Sequence, residues 1–159
     1  MTMTTAPVTD AVTSPFDVPP ATLASLQRSA AALREAMATT DVGLRYALAH
    51  VAALRATAAL LSTRARPAPG RRSQRNAWVL LAELAPEFAE WATFFSAGAA
   101  KRAAAEAGSR TAVTAREADD LIREADTFLA LIESSLGLTR HAPFGDRLAV
   151  APTAWSGVV

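Results

Sequence analysis

The sequence contains two histidines, and one of them follows an arginine closely. Arg45 and His50 are separated by four residues in the segment Arg-Tyr-Ala-Leu-Ala-His. An imidazole with an ordinary pKa near ~6.5 can take up and release protons at neutral pH. A guanidinium is always charged and can hold a phosphate group. The two side chains could therefore transfer protons beside a bound phosphate.

The spacing alone is weak evidence, but the placement of the pair is informative. In a chain this rich in arginine, some histidine follows an arginine at such a distance by chance about four times in ten. No carboxylate occurs between Val42 and Leu61, where both residues lie. Burying them there is costly unless they meet partners or serve a purpose. Either the pair is functional, or His50 is a satisfied core histidine and Arg45 forms an ion pair with an acidic helix.

The segment that carries the pair is predicted to be one long helix from Asp41 to Arg66, with Asp41 as its N-cap. Unrolled at about 100° per residue, it has two apolar stripes. One stripe consists of Leu44, Leu48, Val51 and Ala58, with Leu54 and Leu61 at its margin. The other consists of Ala49, Ala53, Ala56 and Leu60. Arg45 and His50 lie about 140° apart and flank the small-residue stripe, so we expect that stripe to meet a second copy of the helix.

Three further helices are predicted around this one. The first runs from Ala21 to Thr39, after a proline suited to a helix start. The third runs from Gln74 to Ala107, and Pro86 should kink it or split it in two. The fourth begins at a capping box, Thr114 to Glu117, and ends before Gly137. The pattern predicts an all-α protein, an up-and-down four-helix bundle.

The bundle should occupy residues 20–137, with irregular tails on both sides. Residues 1–19 lack a sustained period and are expected to be disordered, and residues 138–159 have no helical pattern. The N-terminus has no early basic residue typical of a signal peptide, and no uncharged run reaches the ~20 residues needed to span a bilayer. We therefore expect a cytoplasmic protein that does not enter a membrane.

The composition excludes several site classes. The chain has no cysteine, so a disulfide framework and a cysteine-ligated zinc site are excluded. Glu83, Glu87 and Glu90 share a helix face, but no Glu-x-x-His accompanies them, which argues against a di-iron bundle. No nucleophile elbow or phosphate-binding glycine loop is present. No cofactor and no metal is expected.

The basic residues are concentrated in one part of the chain. Seven arginines and no acid occur between Val42 and Ala82. Five of them fall within twelve residues: Arg64, Arg66, Arg71, Arg72 and Arg75. This cluster could bind RNA or another polyanion through its phosphates. Alternatively, its guanidinium groups pair with the acidic helices of the same bundle.

Three longer phrases carry a resemblance to a known family. They are RYALAHVAALRA, AWVLLAELAPEFAEWATFFSAGAAKRAAAEAG and TAREADDLIREADTFLALIE. A four-helix bundle with Arg-x4-6-His on an inner helix resembles the HEPN domain, and these phrases are similar to an actinobacterial HEPN subfamily. The resemblance covers about residues 20–136.

The resemblance implies a metal-independent endoribonuclease that works as a homodimer, with Arg45 and His50 of both copies lining one cleft as catalytic residues. Tyr46 stands where the family usually has a small polar residue, and it is a candidate accessory residue. Ala52 stands where ribonuclease toxins of the family often have a tyrosine. Other members only bind nucleotides, RNA or proteins. The alternative function is therefore a non-catalytic helical module that binds nucleic acid or a protein partner.

Overall fold

The described part of the chain is all-α. The computed structural model describes residues 17–64 and 76–141, and no strand occurs in these two ranges. The helices are α1 (Pro20–Ala38), α2 (Val42–Arg64), α3 (Ala77–Leu84), α4 (Ala89–Ala97), α5 (Ala99–Glu106) and α6 (Ala115–Ser135), with a 3-10 turn at Pro86–Phe88. Because α2 packs against α1, α3, α5 and α6, it is the centre of the fold.

Local side-chain chemistry sets the helix ends, as the sequence predicts. The backbone N–H of Leu44 donates to Asp41 Oδ1 at 2.7 Å, which caps α2. At α6, Thr114 Oγ1 accepts from the backbone of Glu117 at 3.2 Å, and the Glu117 carboxylate accepts from the backbone of Thr114 at 2.8 Å. The capping box is therefore confirmed. Gly137 follows α6 with a φ of 71°, the left-handed stop that glycine favours.

The predicted third helix is broken twice. Pro86 splits it, as expected, because a proline cannot donate the hydrogen bond that the helix requires there. A second break at Gly98, between α4 and α5, was not predicted. A Cβ atom on Gly98 would lie 2.6 Å from Tyr46 Oη on α2. The chain crosses α2 so closely at this point that only glycine fits without a shift.

The two stripes of α2 face opposite ways from the prediction. The small-residue stripe lies inside the chain, since Ala49, Ala53, Ala56 and Leu60 are all 0% exposed. The bulkier stripe faces outward: Leu44 is 45% exposed, and Leu48 and Val51 are half-buried. The prediction that a second copy packs on the alanine stripe is therefore wrong. Small side chains allow the closest approach between helices, and neighbours in the same chain occupy that side.

α2 is also long and apolar enough to cross a membrane, by length and composition alone. However, 56% of the relevant window of Val42–Arg64 is buried inside the structure. That burial is typical of the central helix of a bundle, which has apolar residues on nearly every side.

The packed body extends a few residues past both predicted limits. Val18, which the sequence assigns to the N-terminal tail, is buried in the core. At the other end, Leu138 packs against the core and His141 binds α6. The expectations for residues 1–16, for the connection at 65–75 and for residues 142–159 fall outside the described ranges.

Candidate functional site

Arg45 lies near the start of α2 and reaches toward α6. Its Nη2 donates to Asp119 Oδ1 in an ion pair, and its side chain is 24% exposed. Its Nε is buried and has no hydrogen-bond partner in the described residues. One edge of the guanidinium is thus neutralised by α6, and another polar atom stays unsatisfied. The ion pair agrees with the alternative that the sequence left open for this residue.

His50 lies inside the protein, only 2% exposed. Its Nε2 lies 2.9 Å from the carbonyl oxygen of Phe95. Because a carbonyl only accepts, Nε2 carries the proton and Nδ1 is an unprotonated nitrogen. The rings of Trp78 and Phe95 meet the imidazole edge-on, at 5.5 and 6.2 Å. Burial lowers the pKa of His50, so the ring is neutral at pH 7.

Tyr46 lies between the two motif residues along α2 and is 5% exposed. It packs beneath Gly98, at the junction of α4 and α5. Burial raises the pKa of the Tyr46 phenol above its ordinary value, so the hydroxyl keeps its proton at neutral pH. A long ring at this position therefore lies under the α4–α5 junction, beside His50.

The pair does not converge within one chain. Arg45 reaches Asp119 on α6, whereas His50 reaches Phe95 on α4. This is the consequence of the angle of about 140° between them on one helix. A single copy of the chain therefore does not bring both groups to one phosphate in this conformation.

Both motif residues carry an unsatisfied polar atom. In the described ranges, three buried side-chain polar atoms have no hydrogen-bond partner: Arg45 Nε, His50 Nδ1 and Thr57 Oγ1. All three lie on α2, and Thr57 follows His50 by two helical turns, so the two share a side of the helix. An unsatisfied buried polar group costs roughly 1–3 kcal/mol. Such groups are rare enough in native proteins that each calls for an explanation.

Thr57 is a residue that reasoning from the sequence missed. A threonine inside a helix usually returns a hydrogen bond to its own backbone, as Thr93 and Thr127 do here. Nothing in the amino-acid pattern distinguishes Thr57 from those two. Only its position on the His50 side of α2 would have drawn attention to it.

The predicted basic cluster lies mostly outside the described residues. Arg66, Arg71, Arg72 and Arg75 are among the undescribed positions. Arg64 pairs with Glu87 at 2.5 Å. For Arg64, then, the structure has the ion pair within the chain that the sequence offered as the alternative.

A second cluster of titratable groups, unforeseen from the sequence, fixes the segment after α6. His141 Nδ1 lies 2.7 Å from Glu133 Oε2, and His141 Nε2 lies 2.5 Å from Asp126 Oδ1. Arg140 also binds Asp126, at 2.9 Å. Burial by itself would lower the pKa of His141, but the hydrogen bonds and charges of the two carboxylates raise it to about 9. The imidazolium therefore clamps residues 138–141 onto α6.

This clamp should make stability depend on alkaline pH. A histidine whose folded-state pKa is raised stabilises the fold fully below its unfolded pKa, and that stability is lost as pH rises through the folded pKa. The free energy of unfolding should therefore fall between about pH 6.5 and pH 9, by on the order of 3 kcal/mol, as His141 loses its proton. Urea unfolding at pH 6.5 and pH 9.5 measures this change. In His141→Gln the fall should be largely absent, and an equal fall in that variant would contradict the assignment.

The comparisons with known proteins agree with the helical architecture around this pair. No curated protein and no solved structure matches the chain. A family model described as SAV_6107-like HEPN matches residues 36–133. The match includes Arg45, Tyr46 and His50, and it spans more than half of the 159 residues. The chain therefore belongs to the SAV_6107-like HEPN family.

Proposed function

We propose that this HEPN domain is a cytoplasmic, metal-independent endoribonuclease whose Arg45–His50 centre is closed in the conformation described above. The observation that supports the proposal is the pair of unsatisfied nitrogens, Arg45 Nε and His50 Nδ1. A purely structural arginine and histidine would have no reason to leave both nitrogens buried without partners. An open nitrogen on a neutral imidazole is also what a general base requires.

The chemistry would proceed without a metal. His50 takes the proton of a ribose 2′-hydroxyl, and the 2′-oxygen attacks the adjacent phosphorus. The bond from phosphorus to the 5′-oxygen breaks, and a protonated imidazole in the same cleft returns a proton to that leaving oxygen. Arg45 holds the phosphate and stabilises the charge that develops on it. Tyr46 has a protonated phenol beside the pair and serves as an accessory donor. The products are a 2′,3′-cyclic phosphate and a 5′-hydroxyl.

We further propose that the active unit is a homodimer of up-and-down four-helix bundles, in which α3 to α5 together form the third arm. Since the alanine stripe is internal, the two copies would meet through the outward stripe of α2, at Leu44, Leu48 and Val51. Arg45 and His50 lie on either side of that stripe. An isologous contact there would place the Arg45 of one copy near the His50 of the other.

RNA cleavage in EDTA tests the proposed activity. Purified wild-type protein should cleave mixed RNA and leave 2′,3′-cyclic phosphate ends. His50→Ala and Arg45→Ala should each lower the rate by at least about 100-fold, the contribution usual for a proton-transfer group or a charge-stabilising donor. Arg116→Ala is the matched control, because that side chain is 91% exposed and far from the pair in sequence. Cleavage that survives His50→Ala would refute the mechanism.

The second candidate function is a non-catalytic module that binds RNA. Two observations favour it: the Arg45–Asp119 ion pair and the 2% exposure of His50, which together leave neither motif residue open to solvent. RNA binding without any cleavage, in a protein whose His50→Ala variant binds equally well, would identify this function instead.

Both candidates share a basic contact surface formed by Arg64, Arg66, Arg71, Arg72 and Arg75. Each phosphate contact releases counterions and steepens the loss of affinity with salt. Replacing Arg71, Arg72 and Arg75 by alanine should therefore weaken RNA binding and reduce the salt slope by up to about three contacts. Binding assays at several salt concentrations measure both. An unchanged slope would place the RNA elsewhere on the protein.

A further inference from the structure

We propose that α5 is a lid over the Arg45–His50 segment of α2 and that RNA opens it by competing for Lys101. This inference rests on the proposed function and concerns the regulation of the same site. It explains how a centre that is buried in one conformation can act on a polymer in another.

α5 is held more weakly than any other helix in the described ranges. None of its residues is buried, and only Arg102, Ala104 and Ala105 are half-buried. Two of these are alanines, which bury little apolar surface. Elements with few buried apolar contacts open at low free energy while the rest of the fold stays intact.

One ion pair joins α5 to the neighbouring helix. Lys101 Nζ donates to Glu117 Oε1, and both side chains are well exposed, at 49% and 37%. Exposed ion pairs contribute little to stability and are screened by salt. The other ion pair of α5, between Arg102 and Glu106, lies within the helix and does not hold it in place.

The site lies directly beneath the start of this helix. The α4–α5 junction at Gly98 rests on the Tyr46 hydroxyl, and a Cβ there would also lie 3.7 Å from His50 Cδ2. The charges of Arg102 and Glu106 are close enough to His50 to act on its pKa in opposite directions. Displacing α5 about Gly98 would therefore uncover Tyr46 and His50.

A phosphodiester is a direct competitor for the contact that holds the lid. Lys101 is exposed and accepts a phosphate as readily as a carboxylate, so RNA bound there would release Glu117. Glu117 would remain ordered, because its second carboxylate oxygen caps α6 by accepting from the Thr114 backbone. The lid can thus open without unwinding α6.

A disulfide can lock the lid. A Cβ on Gly43 of α2 would lie 3.4 Å from the Cβ of Ala105, close to the separation of about 3.8 Å that a disulfide spans. The natural chain has no cysteine, so Gly43→Cys with Ala105→Cys introduces the only possible pair. In a His141→Gln background, His50 is the single histidine, and its reactivity with diethylpyrocarbonate reports its exposure.

The locked and reduced states give the decisive comparison. Oxidation should lower His50 modification and RNA cleavage together by at least about tenfold, and dithiothreitol should restore both. Equal His50 reactivity in the two states would overturn the lid. Gated reactivity with no RNA cleavage in either state would refute the proposed nuclease activity and leave the lid standing. Each single-cysteine variant controls for the substitutions themselves.

Glu117→Gln provides a second test that does not depend on the disulfide forming. Glutamine keeps the capping box but removes the charge that holds Lys101. His50 modification in the His141→Gln background should rise about two- to fivefold, the factor expected on losing an exposed ion pair. Glu124→Gln removes a similar exposed charge from α6 and should leave the rate unchanged. A rate in Glu117→Gln no higher than in that control would overturn the role of Lys101.

Discussion

Replacing Ala53 by glutamate is expected to unfold the protein. Ala53 is 0% exposed and lies on the inner side of α2, where the helix meets its neighbours. A carboxylate there would lose its hydration without gaining a partner, and it would overfill a tightly packed contact. The cost should reach about 5 kcal/mol or more, comparable to the whole stability of a small domain. Circular dichroism and urea titration would show the loss of helix.

Val51→Glu is the matched control for this substitution, because Val51 lies two residues away on the outward, half-exposed stripe. It should leave the helical content intact and shift the protein from dimer to monomer, as seen by analytical ultracentrifugation. A folded, monomeric Ala53→Glu variant would show that the alanine stripe is the dimer contact after all. A dimeric Val51→Glu variant would move the contact away from α2.

Phe95→Ala is expected to destabilise the fold by about 3–5 kcal/mol. The side chain is 0% exposed and lies in the middle of the aromatic core. Its ring contacts those of His50, Trp78, Trp91, Phe94 and Phe128. Removing it would leave a large cavity among rigid rings that cannot collapse into the space. The free energy of unfolding from urea titration measures the loss.

The adjacent residue supplies the control for that prediction. Phe94 is 46% exposed and contacts only two of the rings, Trp91 and Phe95. Phe94→Ala should cost less than about 1.5 kcal/mol, since about half of its surface stays in water in either variant. Equal losses at the two positions would mean that Phe95 is not the centre of the core.

Features set by local chemistry could be predicted from the sequence. The capping box at Thr114 depends on side chains three residues apart, and the stop at Gly137 depends on one backbone angle. The core face of α6 was also predictable, because its apolar residues fall on one side and its charges on the other. Leu121, Ala125, Phe128, Leu129, Ile132 and Leu136 are all buried as expected.

The orientation of α2 was not predictable in the same way. Both of its stripes are apolar, so periodicity reveals two faces without indicating which one is inside. The clue lay in residue size, because a helix surrounded by four others needs small side chains where the axes approach most closely. Leu44 was assigned to an apolar face correctly, but that face is 45% exposed at this position.

The closure of the candidate site could not be read from sequence spacing either. Arg-x4-His fixes the angle between two side chains, but their partners come from elsewhere in the chain. Asp119 and Phe95 lie 74 and 45 residues away from the groups they bind. The glycine that closes over Tyr46 is likewise distant, and its role follows only from the close approach of two helices.

The alanine surface of α2 has a consequence for the thermal behaviour of the protein. Ala49, Ala52, Ala53 and Ala56 are completely buried, and alanine has no rotamers to lose on folding. Each also hides less apolar area than a leucine would. Because the heat capacity of unfolding follows the apolar area that becomes hydrated, this core should release less of it per residue than one built from large side chains. The resulting stability curve is broad and shallow, so stability varies little between cold and warm conditions.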